Sequence, residues 1–167
     1  MAEDTSKPYY LTAAPQCPYP DIATNDLLNG NVTFDAIFVQ FYNNYCGVNA
    51  FNPAPSDSSA SSATANQQNA FNFATWNDWA RNGGSQNKNV KVFLGVPAGP
   101  TAAGSGYLTA EALKPVIQYA KGFASFGGVM AWDASQAAAN GGWLAGVRSA
   151  LAATTSKARR FARQWKV

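Results

Sequence analysis

Ala36-Ile37-Phe38-Val39-Gln40-Phe41-Tyr42 is β-branched or aromatic almost throughout, and it stops at Asn43-Asn44. A run this short, with turn residues after it, predicts a strand covered on both faces. Three more runs share that character: Tyr9–Ala14 (YYLTAA), Val90–Val96 (VKVFLGV) and Phe126–Trp132 (FGGVMAW). Between and after them lie stretches suited to helices, at about Asp21–Leu28, Asn69–Arg81, Thr109–Lys121 and Trp143–Ala153. In the last of these, Trp143, Val147 and Leu151 recur every fourth residue and make one apolar stripe. Strands alternating with helices predict an α/β fold with a parallel sheet.

Composition limits the chemistry. The 167 residues contain no histidine, which excludes Ser-His and Cys-His nucleophiles, imidazole metal sites and a histidine pH switch. Cys17 and Cys46 form no CxxC, so zinc and thioredoxin-type chemistry are disfavoured; a single disulfide or two buried thiols remain open. No metal or cofactor is expected. The net charge is +3, yet Lys157, Arg159, Arg160, Arg163 and Lys166 all lie in the last eleven residues. The rest carries seven basic and nine acidic side chains, so no nucleic-acid partner is expected. In that tail Phe161 and Trp165 are four apart among cations, a pattern for a short basic amphipathic helix; a solvated end is the favoured reading over membrane contact. No apolar run is long enough to span a bilayer, and the first residues lack the pattern of a signal peptide. The stretch 52–69 (NPAPSDSSASSATANQQN) reads as a surface loop. Asn31-Val32-Thr33 is an N-glycosylation sequon, of consequence only in a secreted chain.

In a parallel sheet every strand opens at the same side. Gln16 follows the first strand, Gln40, Tyr42 and Asn43 close the second, and Trp132-Asp133 close the fourth, so these six converge where parallel α/β folds place their sites. Amides and a phenol suit hydroxyl and acetamido groups, and an indole suits the apolar face of a sugar ring.

Four segments carry a resemblance: LTAAPQCPYPD (Leu11–Asp21), FDAIFVQFYNNYC (Phe34–Cys46), KVFLGVPAGPTAAGSGY (Lys91–Tyr107) and FGGVMAWDAS (Phe126–Ser135). In order, they resemble the last four strand regions of class III chitinases of glycoside hydrolase family 18, over about residues 6–154. The resemblance implies a parallel (β/α) half-barrel, strands five to eight of a TIM barrel. It divides the chain into an N-terminal extension (1–8), the partial (β/α) domain (9–154) and the basic tail (155–167).

It also implies roles. Tyr42 matches the tyrosine that hydrogen-bonds the substrate's acetamido carbonyl and orients it as internal nucleophile. Gln40 matches a glutamine facing the site, and Trp132 the tryptophan under the distorted sugar. Asn43 and Gln16 are cleft-lining residues by the same comparison, and Asp133 is structural or cleft-lining before it is catalytic. Cys17 and Cys46 match a disulfide pair. The family's DxxDxDxE motif, whose last glutamate is the general acid, is absent from these 167 residues, and the glutamates present are Glu3 and Glu111. The resemblance therefore implies an extracellular polypeptide directed at chitin or chito-oligosaccharides, inactive without a complementing N-terminal half-barrel and prone to self-association. The alternatives are a non-catalytic chito-oligosaccharide binder and a protein-interaction module.

Overall fold

The computed structural model describes residues 6–53 and 68–153. The order of elements is β1 (Thr12–Ala13), α1 (Asn25–Leu28), β2 (Ala36–Gln40), a 3-10 turn (Val48–Ala50), α2 (Phe73–Arg81), β3 (Lys91–Pro97), α3 (Ala110–Ala120), β4 (Phe126–Trp132), α4 (Ala134–Ala139) and α5 (Trp143–Ala152). The four strands form one sheet in the order β1-β2-β3-β4, every pair parallel. This is the parallel α/β sheet that the alternating pattern implied, in the half-barrel arrangement that the resemblance implied.

The core lies on the helix side of the sheet. Ile37 and Val39 of β2 and Val92, Leu94 and Val96 of β3 are buried there, against Trp76 and Trp79 of α2, Leu113 and Ile117 of α3 and, in the same core, Trp143 and Val147 of α5. The stripe read in the last helix thus packs inward at Trp143 and Val147, with Leu151 partly buried. Strands covered on both faces were the expectation, and here it needs correction. Along β2, buried residues alternate with partly exposed ones, so only one face is fully covered. At the edge of the sheet β4 is only partly buried, and Gly127 and Trp132 are exposed. On the second face Phe38 packs on Phe93, with ring centroids 4.9 Å apart.

β1 is the second correction. The six-residue run shrinks to a pair, and Tyr9, Tyr10 and Leu11 are exposed. Pro8 and Pro15 flank it and withhold the N–H groups that a longer ladder would use. α1 likewise starts four residues late, because the Asp21 carboxylate first accepts bonds from the backbone N–H and hydroxyl of Thr24, at 2.9 and 2.5 Å. β4 carries a bulge against β3, with Phe126 opposite Val92 and Gly128 opposite Phe93. A Cβ on the intervening Gly127 would sit 2.7 Å from the Phe93 ring, so glycine is what lets that ring lie across the edge. The expected loop 52–69 falls largely outside the described residues; at its described ends, Gln68 clasps the Asn52 backbone through two bonds of 2.7 and 2.8 Å. The predicted amphipathic tail lies wholly outside the described residues.

Candidate functional site

At the carboxyl end of β2 the chain that leaves β1 is laid alongside. The N–H of Gln40 donates to the Pro15 carbonyl at 2.8 Å, and the N–H of Cys17 donates to the Gln40 carbonyl at 3.2 Å. The Gln40 side chain adds a third bond through Nε2 to the Ala14 carbonyl, 2.7 Å, and Asn44 Nδ2 donates to Gln16 Oε1 at 2.8 Å. A disulfide joins Cys17 to Cys46, whose Cα atoms are 5.9 Å apart. Behind it, Trp76 Nε1 and Asn72 Nδ2 both donate to the Cys17 carbonyl, at 3.0 and 2.7 Å. Gln16 and Gln40 are thus spent at one end of each amide; among the described residues Oε1 of Gln40 and Nε2 of Gln16 have no hydrogen-bond partner.

Tyr42 lies two residues beyond Gln40 and is only 6% exposed. Among the described residues its hydroxyl has no hydrogen-bond partner. Burial pushes the phenol above its ordinary range, so at neutral pH it is a proton-bearing donor. The loop after β3 holds it from below. Gly106 has φ +99°, and a Cβ there would lie 2.8 Å from Tyr42 Cβ. Asn43, in the left-handed region at φ 58°, clamps the same loop: Ser105 N–H donates to its Oδ1 at 3.0 Å, and its own N–H donates to the Ser105 carbonyl at 3.3 Å. Asn43 is therefore tied to the loop through its side-chain oxygen. Sequence reasoning quoted this loop within Lys91–Tyr107 but assigned none of its residues to the site, although an AGPTAAGSG stretch after a parallel strand was the available signal.

Trp132 ends β4 with 49% of its surface exposed. Gln40 and Met130 both stand opposite Gly95 of β3 and Trp132 stands opposite Pro97, so Trp132 and Tyr42, which follows Gln40 by two residues, lie at the same end of the sheet on either side of β3. Asp133 faces its own helix. Its Oδ1 caps α4 by accepting from Gln136 N–H at 3.0 Å and from the Ser135 hydroxyl at 2.5 Å. The Ser135 bond first, then the Gln136 bond, hold this carboxyl below the usual carboxylate range, so at neutral pH it carries no proton to give. Glu111 sits in the first turn of α3, exposed and 4.0 Å from Lys114. Among the described residues no three His, Cys, Asp or Glu side chains gather as a metal site requires.

The arrangement offers a phenolic donor on a largely buried side chain, two amide ends unpartnered among the described residues and an exposed indole at one rim of the sheet. It can orient an amide carbonyl and support an apolar ring face, but it holds no protonated carboxyl group.

No protein-family model matches the chain. A class III chitinase of Arthroderma benhamiae is 49% identical over 154 residues, 92% of this chain and 43% of its own length. Endochitinase 33 of Trichoderma harzianum is 46% identical over 87% of this chain and 41% of its own. Among solved structures, the xylanase and α-amylase inhibitor protein of Scadoxus multiflorus superposes with a TM-score of 0.57 at 35% identity, over 84% of this chain and 44% of that one. A chitinase from Ipomoea carnea gives a TM-score of 0.58 at 29% identity over the same shares. The chain spans less than half the length of the relatives it matches.

Proposed function

Because the chain belongs with the class III chitinases of glycoside hydrolase family 18, we propose that it acts on chitin and its oligosaccharides, as the part of the cleft that orients the acetamido group and floors the sugar. The observation that carries this is the Tyr42 side chain, only 6% exposed and with a hydroxyl that has no hydrogen-bond partner among the described residues, at the same end of the parallel sheet as the half-exposed Trp132 indole. The Tyr42 O–H donates to the acetamido carbonyl oxygen and aims it at C1 of the same sugar, so that the substrate supplies its own nucleophile. Trp132 stacks under the ring, and Gln40 Oε1 and Gln16 Nε2 line the cleft beside it. Asn43 and Asp133 act as positioning residues, one holding the loop beneath Tyr42 and the other the start of α4.

Retaining hydrolysis also needs an acid to protonate the leaving oxygen. Asp133 is ionised and Glu111 is an exposed side chain in the first turn of α3, so this reading takes the acid from a DxxDxDxE strand outside these 167 residues, whose sheet pairs with β1 and β4. The disulfide supports an extracellular setting. The test is to supply strands one to four of a class III chitinase to this chain and assay chito-oligosaccharide cleavage. Cleavage is expected in the complex alone, falling about a hundredfold in Tyr42→Phe. A stable complex that cleaves nothing contradicts the catalytic reading.

A second reading, a non-catalytic binder, is favoured by the lack of an acid in this stretch and by the likeness to an inhibitor protein. It predicts chito-oligosaccharide affinity, lost in Trp132→Ala, without turnover in any complex.

A further inference from the structure

Asn31-Val32-Thr33 is the one Asn-x-Ser/Thr sequence in the 167 residues, and neither Val32 nor the following Phe34 is a proline. It lies between α1 and β2, where the side chains alternate in and out. Phe34 is buried and Val32 packs against the core, while Asn31 and Thr33 are exposed. The acceptor amide and the hydroxyl two residues on therefore share the solvent side. Among the described residues neither side chain has a hydrogen-bond partner. Nearby asparagines are tied: Asn29 Nδ2 donates to Asn25 Oδ1 at 2.7 Å, and Asn87 Nδ2 donates to the Phe34 carbonyl at 2.9 Å. The segment precedes Ala36 and so lies at the amino end of β2, the opposite end from Gln40 and the candidate site.

We propose that Asn31 is an N-glycosylation site, a reading that rests on the extracellular setting proposed above. The donor class is a lipid-pyrophosphate-linked oligosaccharide of the secretory pathway. Asn31 Nδ2 forms a bond to C1 of the oligosaccharide's reducing sugar and gives up one proton. The C1–O bond to the pyrophosphate breaks, and the lipid pyrophosphate leaves with its electron pair. The glycan covers the α1–β2 turn and leaves the cleft open.

The test expresses the full chain behind a cleavable secretory leader in a eukaryotic host, with a second sequon appended after Val167 as an internal control. Intact mass before and after peptide N-glycosidase is expected to give two glycans. Asn31→Gln and Thr33→Ala each lose one, and both still form the Cys17–Cys46 disulfide. Occupancy of the appended sequon with Asn31 bare overturns the proposal. Fractionation of the native source is read separately: cytosolic chain with Cys17 and Cys46 reduced overturns the extracellular setting and, with it, the natural use of the site.

Discussion

At the carboxyl end of β2 the backbone and one end of each side-chain amide are tied to other parts of the chain, whereas at the carboxyl end of β4 an indole stands half-exposed beside an aspartate that serves its own helix. The first region is over-determined: the disulfide, the bonds from Trp76 and Asn72 to the Cys17 carbonyl, and the Asn43–Ser105 clamp all fix the backbone around Tyr42. The second rests on one strand at the sheet edge and on the Asp133 cap. A donor that must point at one atom needs the rigid setting. A stacking platform tolerates more freedom, since the ring face it offers is broad.

If the two ends differ in this way, breaking the β2 end must cost stability, and breaking the β4 end must cost mainly function. The largest effect is expected from Trp76→Ala, which empties a fully buried site and removes a bond to the Cys17 carbonyl. It should lower unfolding free energy by about 3–5 kcal/mol in denaturant titrations. Replacing both cysteines by serine opens a link across a separation of 29 residues, and roughly 3–4 kcal/mol should be lost by the same measurement. Gly106→Ala puts a side chain at φ +99° against Tyr42. About 1–3 kcal/mol of stability should go, together with most of the chito-oligosaccharide affinity. At the other end, Trp132→Ala should change stability by about 1 kcal/mol or less, yet abolish measurable binding in calorimetry.

The smallest effect is one of pH. The Asp133 carboxyl is held low in the folded chain, so below its ordinary range the unfolded chain binds the extra proton first. Its contribution is therefore present at neutral pH and lost as pH falls through the depressed value. Unfolding curves of the parent and Asp133→Asn should differ at neutral pH and merge in acid.

How much of this was legible in the sequence follows the same division. β2, β3 and β4 stood out because β-branched and aromatic runs end at proline, glycine, tryptophan-aspartate or asparagine, and the observed strands lie within two residues of those limits. β1 stood out as well, but only Thr12–Ala13 of its run pairs, since Tyr9 to Leu11 look like core in composition but are exposed beside a proline. α4 was missed altogether. Its six residues carry no apolar stripe, and the signal that would have found it is the cap itself, Asp133 with Gln136 three residues on. The candidate site was legible as a set of strand ends. What the pattern could not convey is that the Asn43 side-chain oxygen and one end of each glutamine are spent on the backbone and side chains of neighbouring segments, because those bonds join residues 26 to 62 positions apart.

The central claim is that Tyr42 reads the acetamido group while Trp132 reads only the ring. Calorimetric titration of the chain with chitotetraose and with cellotetraose, which has a hydroxyl in place of each acetamido group, separates the two. The account predicts tighter binding of chitotetraose, a preference that vanishes in Tyr42→Phe while residual ring affinity persists. Equal affinity for the two sugars, or a preference untouched in Tyr42→Phe, would contradict it.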